Sequence, residues 1–164
     1  MSGEVDRSLS LDRIGPDGLD VHVEAGEDEC AALARRMMIA AIVSLGCRFR
    51  LHLAPADAVS ARGRLTARLV QTCVVTLDDF EAEIDEEFAI RFVPSGTETD
   101  DPDPEAEDEV PYHGGTIDLG EAAAEQFALA LDPYPRKLGA ELPEETANDP
   151  ERPFSRLNEL RRPH

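Results

Sequence analysis

Five arginines alternate with apolar residues along two stretches of the chain, and their side chains could bind phosphate or carboxylate groups. They are Arg48, Arg50, Arg62, Arg64 and Arg68. A guanidinium group forms paired hydrogen bonds to either anion. Two interpretations follow: a platform that contacts RNA, or cross-strand neutralisation by neighbouring carboxylates, which would leave these arginines engaged.

Acidic side chains form the second set that could bind a partner. Acidic residues outnumber basic ones 35 to 16, and the net charge is −19. Residues 78–109 hold 15 acids and one base. A charge of this sign argues against a general nucleic-acid binder, whereas it attracts basic proteins. Because the run 98–109 has few apolar side chains, we expect a mobile acidic loop over 95–115, either simply solvated or an arm that attracts a basic protein or mimics RNA.

The residues that could support catalysis or metal binding are few. Cys30, Cys47 and Cys73 have neither the spacing of a disulfide framework nor that of a metal knuckle, so we expect reduced thiols. Cys73 could serve as a redox sensor or nucleophile given a lowered pKa or a neighbouring base. The common phosphate-binding, zinc-helix and nucleophile motifs do not occur. We therefore expect no enzyme, cofactor, metal or small-molecule substrate.

Alternating and helical patterns indicate the elements that must position these side chains. Strands are expected over 43–53, 61–69 and 80–92, and a strand pair around the turn signal 15–18. Apolar positions three and four apart predict helices near 28–41 and 118–131, the second opened by a capping box at Asp118. The fold class is α+β, an antiparallel β-meander of about four or five strands with two packed helices.

The sequence also predicts how the chain is divided. Residues 1–140 form one domain that contains the acidic loop, and residues 141–164 form a flexible tail with a short amphipathic helix over 153–162. No apolar run approaches the ~20 residues of a membrane span, so we expect a cytoplasmic protein.

Two places near the C-terminal end are candidates for partner binding. At the exit of the second helix, Tyr134 and Arg136 either close the helix end, with Tyr134 as a packing lid, or face a partner. In the tail, the apolar stripe either docks on the domain's own sheet or enters a groove on a partner. The tail candidates are Phe154, Leu157, Leu160 and Arg161.

An ordered set of short motifs resembles the bacterial YceD family, and the version at 133–136 resembles its alphaproteobacterial branch. The motifs, in order, are 71–77 (QTCVVTL), 78–80 (DDF), 91–94 (RFVP), 117–120 (IDLG), 125–136 (EQFALALDPYPR) and 153–157 (PFSRL). Many members have a CxxC where this chain has Cys73-Val-Val-Thr76. Because the second cysteine is missing, the resemblance does not carry a metal over to this chain.

The resemblance implies a small non-enzymatic factor for the accumulation of large-subunit ribosomal RNA, through its synthesis, processing or stability. Combined with the charge distribution, it suggests an acidic adaptor that holds a basic ribosomal or ribosome-assembly protein. Direct binding of ribosomal RNA by the arginines and the mildly basic tail is one alternative. A thiol-dependent redox sensor at Cys73 is another.

Overall fold

The computed structural model describes residues 7–100 and 103–141, which form a five-stranded sheet, a separate two-stranded sheet and two helices. The elements are β1 (Ser8–Ser10), β2 (Leu19–Glu24), α1 (Glu27–Met37), β3 (Ala41–Leu53), β4 (Val59–Thr72), β5 (Asp79–Pro94), β6 (Asp108–Tyr112), β7 (Thr116–Asp118) and α2 (Leu119–Ala130). Strands β2 to β5 form an antiparallel meander in chain order, and β6 joins β5 in parallel. This confirms the α+β prediction.

Strands β3 and β4 bury every second side chain over most of their length, as their alternating sequences require. In β3 the buried row includes Cys47, Phe49 and Leu51, and it lies beside the buried row of the neighbouring strand β4. The pairing register shifts between Ile42 and Ser44, which turns Val43 outward to 53% exposure. An unbroken alternation over the predicted strand 43–53 would place Val43 on the same buried face as Leu45 and Cys47. That expectation is wrong, because a bulge reverses the alternation at that point.

The helices cover the buried face of the sheet and lie close to their predicted positions. Helix α1 is capped by Gly26, whose N–H donates to the Glu29 side chain over 2.8 Å, and it ends at Met38 in the left-handed conformation rather than near residue 41. Helix α2 begins as predicted, because the Asp118 carboxylate accepts from the Glu121 N–H over 3.0 Å.

The first strand pairs differently from the sequence-based prediction. Instead of forming a hairpin with β2 across the turn 15–18, β1 pairs with β7 through the rung Leu9 and Ile117. Both of these side chains are buried in the common core, whereas β2 pairs with β3. The prediction was wrong because a local turn signal carries no information about a partner more than a hundred residues away.

Part of the segment 95–115 is a strand rather than a loop. Residues 108–112 form β6, since Val110 and Tyr112 supply the apolar contacts that the rest of the acidic run lacks. The Tyr112 hydroxyl donates to the Asp57 carbonyl oxygen and ties β6 to the loop between β3 and β4. Thr99 also donates, through its N–H and its hydroxyl, to the Glu109 carboxylate. The proposed tail, its helix 153–162 and the candidates within it lie outside the described residues.

Candidate functional site

The five predicted arginines lie together on the solvent side of β3 and β4, and we call this surface the arginine face. Arg48 is paired across the strands with Arg64, and Arg50 with Arg62. Arg68 lies further along β4. Like charges directly opposite each other destabilise a sheet, so the arrangement needs compensation from neighbouring carboxylates or from a bound anion.

Carboxylates on the flanking strands engage three of the five arginines. Arg50 contacts Asp20 of β2 at 2.7 Å, and Arg68 lies 3.9 Å from Glu83 of β5. Arg64 forms two hydrogen bonds, of 2.7 and 2.8 Å, to Asp85. These bonds lower the pKa of Asp85 below its usual value, and the opposite charge acts in the same direction. Most of the arginine face is thus neutralised internally.

Arg48 and Arg62 differ from the others because neither forms an ion pair with another residue of the described ranges. Both line an open groove of about 840 Å³ on the solvent side of the sheet. The groove also includes His22 of β2 and Glu87 of β5. The free cationic surface is therefore two guanidinium groups rather than five.

The acidic residues are concentrated on β5. Glu81, Glu83, Asp85 and Glu87 alternate along the same side of the sheet as the arginine face, and all four are exposed. Glu86 points to the opposite side, where its cross-strand neighbour is Leu65. The alternation predicted for this strand places no carboxylate on that side, although three consecutive acids at 85–87 break the alternation and could have indicated it.

Half of β5 has a strand on one side only. It pairs with β4 over 79–92 and with β6 only over 90–94. Among the described residues, therefore, no strand pairs with the outer side of 79–89. Every second backbone N–H and C=O along this stretch is directed away from β4, as in any edge strand.

The segment after α2 lies at the turn between β4 and β5. The Val74 N–H donates to the Pro135 carbonyl oxygen over 2.9 Å, and the Lys137 ammonium lies 3.7 Å from Asp78. Tyr134 is 72% exposed, so it is not a packing lid, and Arg136 is also exposed. Both candidates are therefore accessible to a partner.

The three cysteines are free and buried, in agreement with packed thiols. Burial raises the pKa of Cys47 to about 12 and raises that of Cys30, to which Glu29 also contributes. Cys73 differs because its pKa is lowered to about 7 despite burial. The largest cause is a hydrogen bond from the Thr76 side chain, and hydrogen bonds from the backbone N–H groups of Lys137, Thr76 and Val75 act in the same direction. In the described ranges no three His, Cys, Asp or Glu side chains converge as a metal site would require.

We expect the Cys73 thiol to make the stability of the protein depend on pH. Its pKa is lower in the folded than in the unfolded chain, so its contribution is present above the unfolded value and is lost as the pH falls through about 7. Urea unfolding from about pH 6 to about pH 9 should show a rise in the free energy of unfolding that Cys73→Ser lacks. Parallel pH profiles for the two proteins would contradict this.

Comparisons with known proteins identify the family. No helix in the described residues is both long enough and apolar enough to cross a bilayer. No curated protein and no solved structure matches the chain. One family model, described as large ribosomal RNA subunit accumulation protein YceD, matches residues 61–161, which contain all but the first two residues of β4 together with β5, β6, β7 and α2. The chain belongs to the YceD family, whose description assigns it a role in the accumulation of large-subunit ribosomal RNA.

Proposed function

We propose that this protein is a non-enzymatic cytoplasmic adaptor in ribosome biogenesis, which holds a basic ribosomal or ribosome-assembly protein and thereby supports large-subunit ribosomal RNA. The observation that carries the proposal is the charge of β5, where residues 79–87 contain six acids and no base. Only two of those acids contact arginines of the sheet. The Asp79 carboxylate accepts a hydrogen bond from the Thr72 hydroxyl, whereas Glu81, Glu86 and Glu87 form no ion pair with another described residue and are available to a cationic partner.

Electrostatic attraction of this kind accelerates encounter and weakens as salt screens the charges. We expect the tagged protein to capture basic ribosomal or assembly proteins at about 0.05 M ionic strength and to release most of them at about 0.5 M. Mass spectrometry of the two eluates is the measurement. Recovery of no basic ribosomal or assembly protein at low salt would contradict the proposal.

Direct binding of ribosomal RNA is the second candidate, and it is favoured by the unpaired Arg48 and Arg62 beside the groove. Its capacity is limited because the other three arginines are engaged by carboxylates. Ribonuclease treatment before elution separates the two candidates. Capture that survives the nuclease supports a protein partner, whereas loss of all captured protein would indicate that RNA is the bridge.

A further inference from the structure

The unpaired half of β5 has two chemically different sides. Its outward side, the side of the arginine face, carries five carboxylates two residues apart, from Asp79 to Glu87, which places neighbouring ones roughly 7 Å from one another. Its inward side carries apolar groups that are only partly buried. These are Phe80, Ala82, Ile84 and Phe88.

We propose that this edge binds an extended basic segment of the partner as an added sixth strand. The partner's alternate lysines or arginines would face the carboxylates, and its intervening apolar side chains would cover the half-buried row on the other side. The backbone of an added strand pairs with the free N–H and C=O groups of the edge. The proposal rests on the adaptor function above and names the site and the mode of binding.

The spacing on both sides of β5 supports an alternating partner. Side chains of an added strand repeat with the same two-residue period as those of β5, so its cations lie level with the carboxylates, of which Glu81 and Glu87 have no ion pair among the described residues. A shift by one residue would place cations on the apolar side and apolar groups among the acids. The two-sided pattern therefore fixes the register of the partner strand.

A second copy of this chain fits the edge poorly. Pairing two β5 strands would bring together two stretches of six acids without a base. Glu86 adds a charge on the otherwise apolar inward side, and such inward charges protect edge strands from self-association. The acids of the outward side attract a basic strand, so the charge pattern distinguishes between the two occupants.

A synthetic peptide of alternating lysine and valine, about ten residues long to match the edge, tests the proposal with the full-length chain. Its control is a copy methylated on the central backbone nitrogens, which keeps every charge and side chain but removes the donors needed for strand pairing. By calorimetry we expect the methylated copy to bind at least roughly tenfold more weakly. Equal binding of the two peptides would overturn the proposal.

The double variant Glu81→Gln/Glu87→Gln tests the carboxylates without breaking an ion pair of the arginine face, because neither residue forms an ion pair with another described residue. We expect it to bind the unmethylated peptide roughly threefold to tenfold more weakly at low ionic strength. The matched control, Asp12→Asn/Glu125→Gln, removes the same charge from exposed positions outside the five-stranded sheet. An equal loss in both variants would overturn the proposal.

Hydrogen exchange of the free full-length protein reports whether the edge is vacant. We expect the amides of 79–89 that do not pair with β4 to exchange rapidly in the free protein and to be protected when the peptide is bound. Protection without the peptide would mean that another part of the chain, or a second copy, already covers the edge, and would overturn the proposal. Capture of basic proteins that is unaffected by Glu81→Gln/Glu87→Gln would overturn the edge proposal but leave the adaptor function intact.

Discussion

Phe127→Ala should lower the free energy of unfolding by about 3–5 kcal/mol, a large effect for a single substitution. The Phe127 ring is fully buried, at 0% exposure, where α2 packs on the sheet. The replacement removes most of the side chain's buried apolar area and leaves a cavity that the surrounding strands cannot fill completely. Because domains of this size are stable by about 5–15 kcal/mol, the loss is a large fraction of the total.

Leu129→Ala provides the matched control on the same helix. Leu129 is 71% exposed, so its replacement removes little buried surface and should change stability by less than about 0.5 kcal/mol. Urea unfolding followed by circular dichroism measures both variants. Similar losses for the two substitutions would mean that α2 contributes through helix formation alone and not through packing on the sheet.

The parts of the fold that sequence predicted correctly are those fixed by local signals. The start of α2 depends on the capping carboxylate of Asp118 and on an apolar stripe four residues apart, both visible in one short window. The long strands β3, β4 and β5 likewise have alternating patterns longer than any competing helical pattern. Their main deviation, the bulge at Val43, changes one residue's side and leaves the element in place.

The parts that sequence missed depend on contacts between distant residues. The pairing of β1 with β7 and of β6 with β5 joins segments whose sequences are too short or too acidic to identify a partner. The candidate site likewise depends on contacts between distant residues. Compensation of Arg64 by Asp85 requires the register of β4 and β5, and the vacant edge is defined by where β6 stops. The charge of each side chain could be predicted from the sequence, but whether that side chain is free to contact a partner could not.

Gly63 of β4 illustrates a constraint that neither composition nor alternation reveals. It lies between two aromatic residues, with Phe49 as its neighbour on β3 and Phe88 on β5. The Phe88 ring covers the glycine and meets the Phe49 ring edge-on, with centroids 5.8 Å apart and planes inclined by 78°. Three carbons of the Phe88 ring lie within 2.7 Å of the place where a β-carbon on Gly63 would stand.

Gly63→Ala should therefore destabilise the protein by about 1–3 kcal/mol, because the whole Phe88 ring must move away and lose its contact with Phe49. This expectation opposes the usual effect of the substitution. Alanine in a strand interior is ordinarily better than glycine by roughly 0.5–1 kcal/mol, since glycine loses more backbone entropy on folding. The sign of the change thus reports which of the two effects is larger.

A double-mutant cycle with Phe88→Ala isolates the contribution of the ring. Once the ring is removed, the added methyl group has space, and Gly63→Ala should become neutral or stabilising by about 0.5 kcal/mol. The coupling between the two positions should then be about 2 kcal/mol, measured by urea unfolding of the four proteins. If Gly63→Ala instead destabilises both backgrounds equally, the cost comes from the backbone of β4, and the aromatic ring is not what requires glycine between Arg62 and Arg64.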